Sequence, residues 1–185
     1  ARNATSLGSL AGAVAYGKTS TGASSAGIAG AFGINVLSGD TQAFVDGAAS
    51  LTADALEIEA LRSGWTVSLT AGLGIGSGDK SVGIGGSVSA TVTMYTVEAL
   101  LQNTGGIVDG AVTLKAEDDT NLIAIGGAVG FGSKGGLGVG FAFAYQGNTV
   151  RSQIADVSSL KHTGDLAVVA TADGLIVSVS GSVGI

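Results

Sequence analysis

Short blocks recur down this chain in one order and at nearly one interval, and that repetition constrains the fold more than any single residue. GAVAY at Gly12–Tyr16 returns as AGLGI at Ala71–Ile75, as GAVGF at Gly127–Phe131 and as GSVGI at Gly181–Ile185. GIAG at Gly27–Gly30 recurs as GIGG at Gly83–Gly86 and as GVGF at Gly138–Phe141. DGAASLTAD (Asp46–Asp54) returns without a gap as DGAVTLKAE (Asp109–Glu117) and again as DLAVVATAD (Asp165–Asp173), the first interval being the longer. The spacing predicts units of roughly 55 residues. They span 1–65, 66–120 and 121–174, with a fourth starting at 175–185, in one repetitive segment cut from a longer polypeptide.

Within each unit the period is two, which is strand periodicity. Val67, Leu69, Leu73 and Ile75 alternate with Ser68, Thr70, Gly72 and Gly74, and Ile123, Ile125, Val129 and Phe131 do the same in the next copy. The loops Ser77–Lys80 and Gly132–Gly136 read as hairpin turns in which Gly supplies positive φ. Closing Gly76 onto Ser81 predicts Ile75 opposite Val82 and Leu73 opposite Ile84, and the third unit sets Gly127 opposite Phe141. In Asp109–Glu117 the alternation points Val112, Leu114 and Ala116 inward and Thr113 and Lys115 outward. Leu51–Arg62 has some helical flavour but also alternates, so it reads as a strand with an insertion that lengthens the first interval. Thr91–Leu101 reads as a strand kinked near Glu98.

One such unit cannot bury its apolar face alone, whereas stacked copies bury it continuously. The expected fold is therefore all-β: a repetitive β-solenoid or β-helix-like stack of units carrying long β-hairpins. The 33 Gly and absent Pro fit, because an interior ladder needs every N–H and Gly lets backbones approach closely. The alternating strands also suit an outer-membrane barrel, although nine aromatics form no girdles. No apolar run is long enough for a membrane-spanning helix. A net charge of −6 disfavours nucleic acid, and zero Cys excludes disulfides and zinc–thiolate sites.

Little here suggests catalysis. His162 is the only imidazole, and a triad with Ser158 or Ser159 and Asp165 rests on sequence proximity alone, so a solvated turn histidine is the expectation. Glu117, Asp118 and Asp119 are consecutive, and they are the calcium candidates because Ca²⁺ takes carboxylate and carbonyl oxygens. The plainer reading of that run is a solvated corner between strands. Asp40, Asp79 and Asp173 adjoin Gly in expected turns, and no calcium-loop motif matches. GLGIGSG at Gly72–Gly78 has no helix after it to bind phosphate.

GAVAYG (Gly12–Gly17), GINVLSGDTQAFVDG (Gly33–Gly47) and VGFAFAYQGNTVRSQIAD (Val139–Asp156) resemble repeats of giant bacterial surface and secreted proteins. Leukotoxin-type repeat proteins and filamentous-haemagglutinin-like or autotransporter passenger adhesins are of this kind. Asn35 and Asn148 match the Asn-containing strand of that pattern, while the middle unit offers Thr91 and Thr93. The resemblance implies an extracellular or cell-surface stalk or fibre and carries over no active-site residue. The expected function is a non-enzymatic structural segment that self-associates with copies of itself or adjacent repeats. The alternative is an adhesin or toxin passenger meeting a receptor or glycan through turns bearing Lys18, Lys80, Lys134 or Arg151.

Overall fold

A computed structural model describes residues 1–157 and 159–185. The chain is all-β with parallel sheets, consistent with a β-helix- or solenoid-like class. In the first sheet β2 (Leu7–Lys18), β5 (Leu56–Ser77), β8 (Val112–Phe131) and β13 (Ile176–Gly184) lie side by side, with β1 (Arg2–Ala4) and β12 (Leu166–Ala172) beside the lower halves of β5 and β8. The second sheet joins β3 (Ser24–Asp46) to β6 (Lys80–Gln102), and β6 to β9 (Gly135–Gln146) and β10 (Thr149–Ala155). The third joins β4 (Leu51–Ala53), β7 (Gly105–Val108) and β11 (Ser159–His162).

Every pairing among the described residues is parallel, and in the first sheet GAVAY, AGLGI, GAVGF and GSVGI pair block to block. Gly12 pairs with Ala71, Ala71 with Gly127 and Gly127 with Gly181; one step on, Val14, Leu73, Val129 and Val183 form the next row. Two alignments are corrected. Gly83 pairs with Gly136 rather than Gly138, and Val112 pairs with Leu56 and Leu166, so LEIEA (Leu56–Ala60) is the copy of VTLKA (Val112–Ala116). Asp46 pairs instead with Gln102. The first slip is two residues, an even number that keeps every side chain on its own face and that alternation alone does not detect; the second, from Ala49 to Leu56, is odd and moves the block to the opposite face. With Leu56 rather than Ala49 in register with Val112, Leu51–Arg62 holds β4 and the start of β5 and no insertion lengthens the repeat. β6 runs unbroken past Glu98, and the ladder breaks instead at Gly147–Asn148, between β9 and β10.

The expected hairpins are corrected in a way that inverts the arms. The two predicted turns form, with positive φ at Gly78 and Gly135, and a third with positive φ at Gly22 joins β2 to β3. The two strands flanking each turn do not pair with each other, however; they enter separate sheets laid face to face. A Cβ added to Gly72 would overlap the Gly86 carbonyl, and one on Gly74 that of Ile84. The small row therefore lies between the sheets, and the aliphatic row points to solvent. Ile75 and Val82, or Gly127 and Phe141, belong to opposite outer faces rather than to cross-strand pairs. Toward the arm base the inner rows change from Gly to hydroxyls, which bridge the sheets: Ser89 donates to Ser68 at 2.8 Å and the Asn35 amide to Ser9 at 2.8 Å.

Below the arms the three sheets enclose an apolar core of Ile58, Ala60, Val97, Ala99, Leu101, Val108, Val112, Leu114 and Ala116. Here the expected polarity holds. Val112, Leu114 and Ala116 are fully buried while Thr113 and Lys115 face outward.

Candidate interaction surface

The arms expose two broad uncharged faces. On the first, formed by β2, β5, β8 and β13, the outward rows are Leu10–Leu69–Ile125–Val179, Gly12–Ala71–Gly127–Gly181 and Val14–Leu73–Val129–Val183. Leu10 is 77% exposed and Val14 72%. The middle row is small and the flanking rows are branched, so a groove of about 710 Å³ runs across the strands with Gly12, Ala71, Gly127 and Gly181 as its floor. On the opposite face, formed by β3, β6 and β9, Phe32, Val88 and Phe141 make one row and Ile34, Ala90 and Phe143 the next. Its own groove is shorter, about 350 Å³, because Val139 stands where the Gly30–Gly86 row would continue. Soluble chains rarely leave contiguous apolar patches above a few hundred Å² uncovered without a binding role.

Cations gather at the arm tips. Lys18 ends β2, Lys80 opens β6, and the N–H of Lys134 in the third turn donates to the Ser81 carbonyl at 3.0 Å. Arg151 lies away from the tips on β10, where it pairs with Glu98 at 2.7 Å.

The acidic run is corrected from a corner to the interior of β8. Alternation turns Asp118 inward, fully buried, while Glu117 and Asp119 point out, so the three carboxylates do not converge. Asp118 accepts hydrogen bonds from Thr120 Oγ1 at 2.5 Å and from the side-chain amide of Asn148. The Asn148 carbonyl oxygen in turn accepts the Tyr95 N–H at 3.0 Å, so Asn148 ties β8 to β6 at the ladder break. Outside, Glu117 pairs with Lys115 at 2.5 Å and Asp119 accepts from Asn121 at 3.2 Å. The Glu117 hydrogen bond, reinforced by its charge, raises the Lys115 pKa. Among the described residues no group of three His, Cys, Asp or Glu side chains is placed to hold a metal ion.

The remaining sequence candidates scatter. His162 ends β11, exposed, with Nδ1 2.8 Å from the Gly164 carbonyl; Ser158 lies outside the described residues. Asp40 lies within β3 rather than in a turn, Asp79 is in the second arm turn, and the Asp173 N–H donates to the Asp118 carbonyl. Gly72, Gly74 and Gly76 of the Gly-rich block sit on the closed inner face of β5. Sequence reasoning misses the exposed faces, although the rows from Gly8 to Tyr16 and from Ala26 to Ser38 contain no charged side chain. Compared with known proteins, the chain matches no family model, no curated protein and no solved structure.

Proposed function

We propose that the chain is a β-solenoid segment with a structural, non-enzymatic role, one piece of a stiff extracellular or cell-surface rod. The observation that carries this reading is the in-register parallel stacking of Val14, Leu73, Val129 and Val183, one from each successive copy of the repeated block. Each coil adds only about 4.8 Å along the stacking direction, so the coils here give a slab, and length comes from further coils. Mechanically, every rung shares ladder hydrogen bonds with its neighbours, and stability accumulates from one rung to the next. An outer-membrane barrel is built from antiparallel strands, which gains no support from this parallel pairing.

The register supplies a test. Ile185 follows the Gly184–Gly130 pair, as Tyr16 follows Ala15 at the other edge of the sheet, so Gly17 is its natural successor. A fusion carrying residues 17–185 directly after Ile185 is expected to scatter X-rays as one body lengthened by about 14 Å with the cross-section unchanged. Two independently tumbling bodies would overturn the rod.

A second reading, an adhesin or toxin-passenger segment, draws on the lysine carried at each arm tip. Retention on a sulfated-glycan column that disappears when Lys18, Lys80 and Lys134 are all changed to Gln would favour it.

A further inference from the structure

The two outer faces of the arms differ, and the difference is complementary. One face has a long floor of small residues between branched rows; the other has an aromatic row and a groove stopped by Val139. Both keep the same spacing between rungs, because both belong to parallel ladders of one stack. We infer that the Phe32–Val88–Phe141 ridge of one copy of this chain seats in the Gly12–Ala71–Gly127–Gly181 groove of a second copy. This deepens the structural reading above, on which it rests, by naming the partner and the surface through which rods bundle.

Three observations choose a second copy as the occupant. The first is area. The ridge face, twelve residues by three strands, measures about 40 Å by 14 Å, or about 570 Å², at the lower edge of the ~600–1,000 Å² that each partner gives a stable interface. The second is shape. The rows flanking the floor stand four residues apart, about 13 Å, which leaves room for a phenyl ring, and Phe32, Val88 and Phe141 on successive rungs of the ridge meet successive small residues of the floor. Phe32 and Phe141 are 65% and 62% exposed, so the ridge stands free. The third is charge. Below the lysines of the tips, from Gly8 to Tyr16 and from Ala26 to Ser38, neither face has a charged side chain to desolvate, which suits a dry interdigitated contact of the steric-zipper kind.

The contact is heterologous, ridge to groove, so a pair leaves one ridge and one groove unused and association does not close. Two surface changes test this with little risk to folding. A Cβ at Gly127 meets nothing closer than 4.0 Å, so Gly127→Phe fills the groove without disturbing the inner face. Phe141→Glu places a charge on the ridge. Sedimentation velocity of the wild-type chain is expected to show open-ended, concentration-dependent oligomers, and each variant alone should sediment as a monomer. Mixing the variants should restore a one-to-one complex, because each retains the surface the other lacks. Several outcomes overturn the inference: a wild-type monomer at all concentrations, a closed dimer, or oligomers persisting in both variants, which would place association at the ladder edges. Adsorption of a monomeric chain to phosphatidylcholine vesicles would also overturn it, since the faces would then belong to lipid. These failures are separable from failure of the rod. A monomeric chain whose 17–185 fusion still lengthens as one body loses the bundling and keeps the rod.

Discussion

The lower part of the molecule and its arms use the same period-two alternation and bury opposite halves of it. Around Val112, Leu114 and Ala116 the aliphatic row is inside and the polar row outside. In the arms the Gly, Ala and Ser row is inside and Leu10, Val14 and Phe32 face water. The cause is the distance between the sheets. Three sheets enclosing a core leave space for Leu and Val, as sheets stacked about 10 Å apart do. Two sheets meeting at a tight turn of a few residues close until the Gly72 and Gly86 backbones touch, and no side chain fits between them. Alternation identifies two faces. Which one is buried depends on how many walls surround it.

The sharpest way to break this comparison is to put a side chain where the arms touch. In Gly74→Val the new atoms meet the Ile84 and Gly27 carbonyls, which are backbone on two different strands and have little freedom to yield. Overpacking commonly costs about 1–3 kcal/mol. With backbone on both sides, a loss of at least about 3 kcal/mol in urea unfolding is expected. The control is Gly12→Val, whose Cβ would lie 3.9 Å from its nearest neighbour on the outer face and should change stability by less than about 0.5 kcal/mol. Equal effects from the two variants would mean the arms are not closed on their glycines.

Leucines give the reciprocal experiment. Leu114 is fully buried, and Leu114→Ala is expected to cost about 2–5 kcal/mol. Leu10→Ala, at a position 77% exposed, should be nearly neutral in dilute solution. Between these regions sits Asp118, which is buried and hydrogen-bonded to Thr120 and Asn148. Asp118→Ala leaves those donors without an acceptor and is expected to cost about 1.5–3 kcal/mol. Hydrogen exchange should show the loosening at the β9–β10 break first. Unchanged protection at Tyr95, whose N–H is held by Asn148, would refute that assignment.

Much of this is legible in the residues, for physical reasons that also mark the limit. GAVAY, AGLGI, GAVGF and GSVGI fix their own partners because a stacked row needs like-sized residues at each rung, so block spacing becomes ladder register. The Gly78 and Gly135 turns are legible because few residues other than Gly adopt their φ. Pairing direction is not. Gly76 and Ser81 are near neighbours in an antiparallel hairpin and in a parallel arch alike, and only hydrogen bonds to other rungs separate the two. Asp118 misleads for a related reason: three adjacent carboxylates look like a solvated corner until the strand is known to run straight through them. Charge-free stretches are visible too, yet their aliphatic rows suggest the interior because such rows usually belong there.

The smallest expected effect tests the outer face of the lower region, where a lysine and a glutamate face out side by side. Lys115 and Glu117 lie two apart on β8, both facing out, and their hydrogen bond raises the Lys115 pKa above its ordinary 10.5. A base whose pKa is raised by folding binds its proton more tightly in the native state than in the unfolded chain. Its contribution to stability is therefore complete below pH 10.5 and is lost as pH rises through the raised value. The informative quantity is the difference between wild type and variant. Wild type and Lys115→Gln should differ in unfolding midpoint at pH 9 and converge as pH rises through the raised Lys115 value, by an amount small enough to need replicate titrations because the pair is solvated. Glu117→Gln, which keeps a hydrogen-bond acceptor and removes the charge, should retain part of the difference. A wild-type-to-variant gap that stays constant across the range would mean Lys115 acts through the packing of its aliphatic stem against β5 and β12, and the ion pair would drop out of the account of that face.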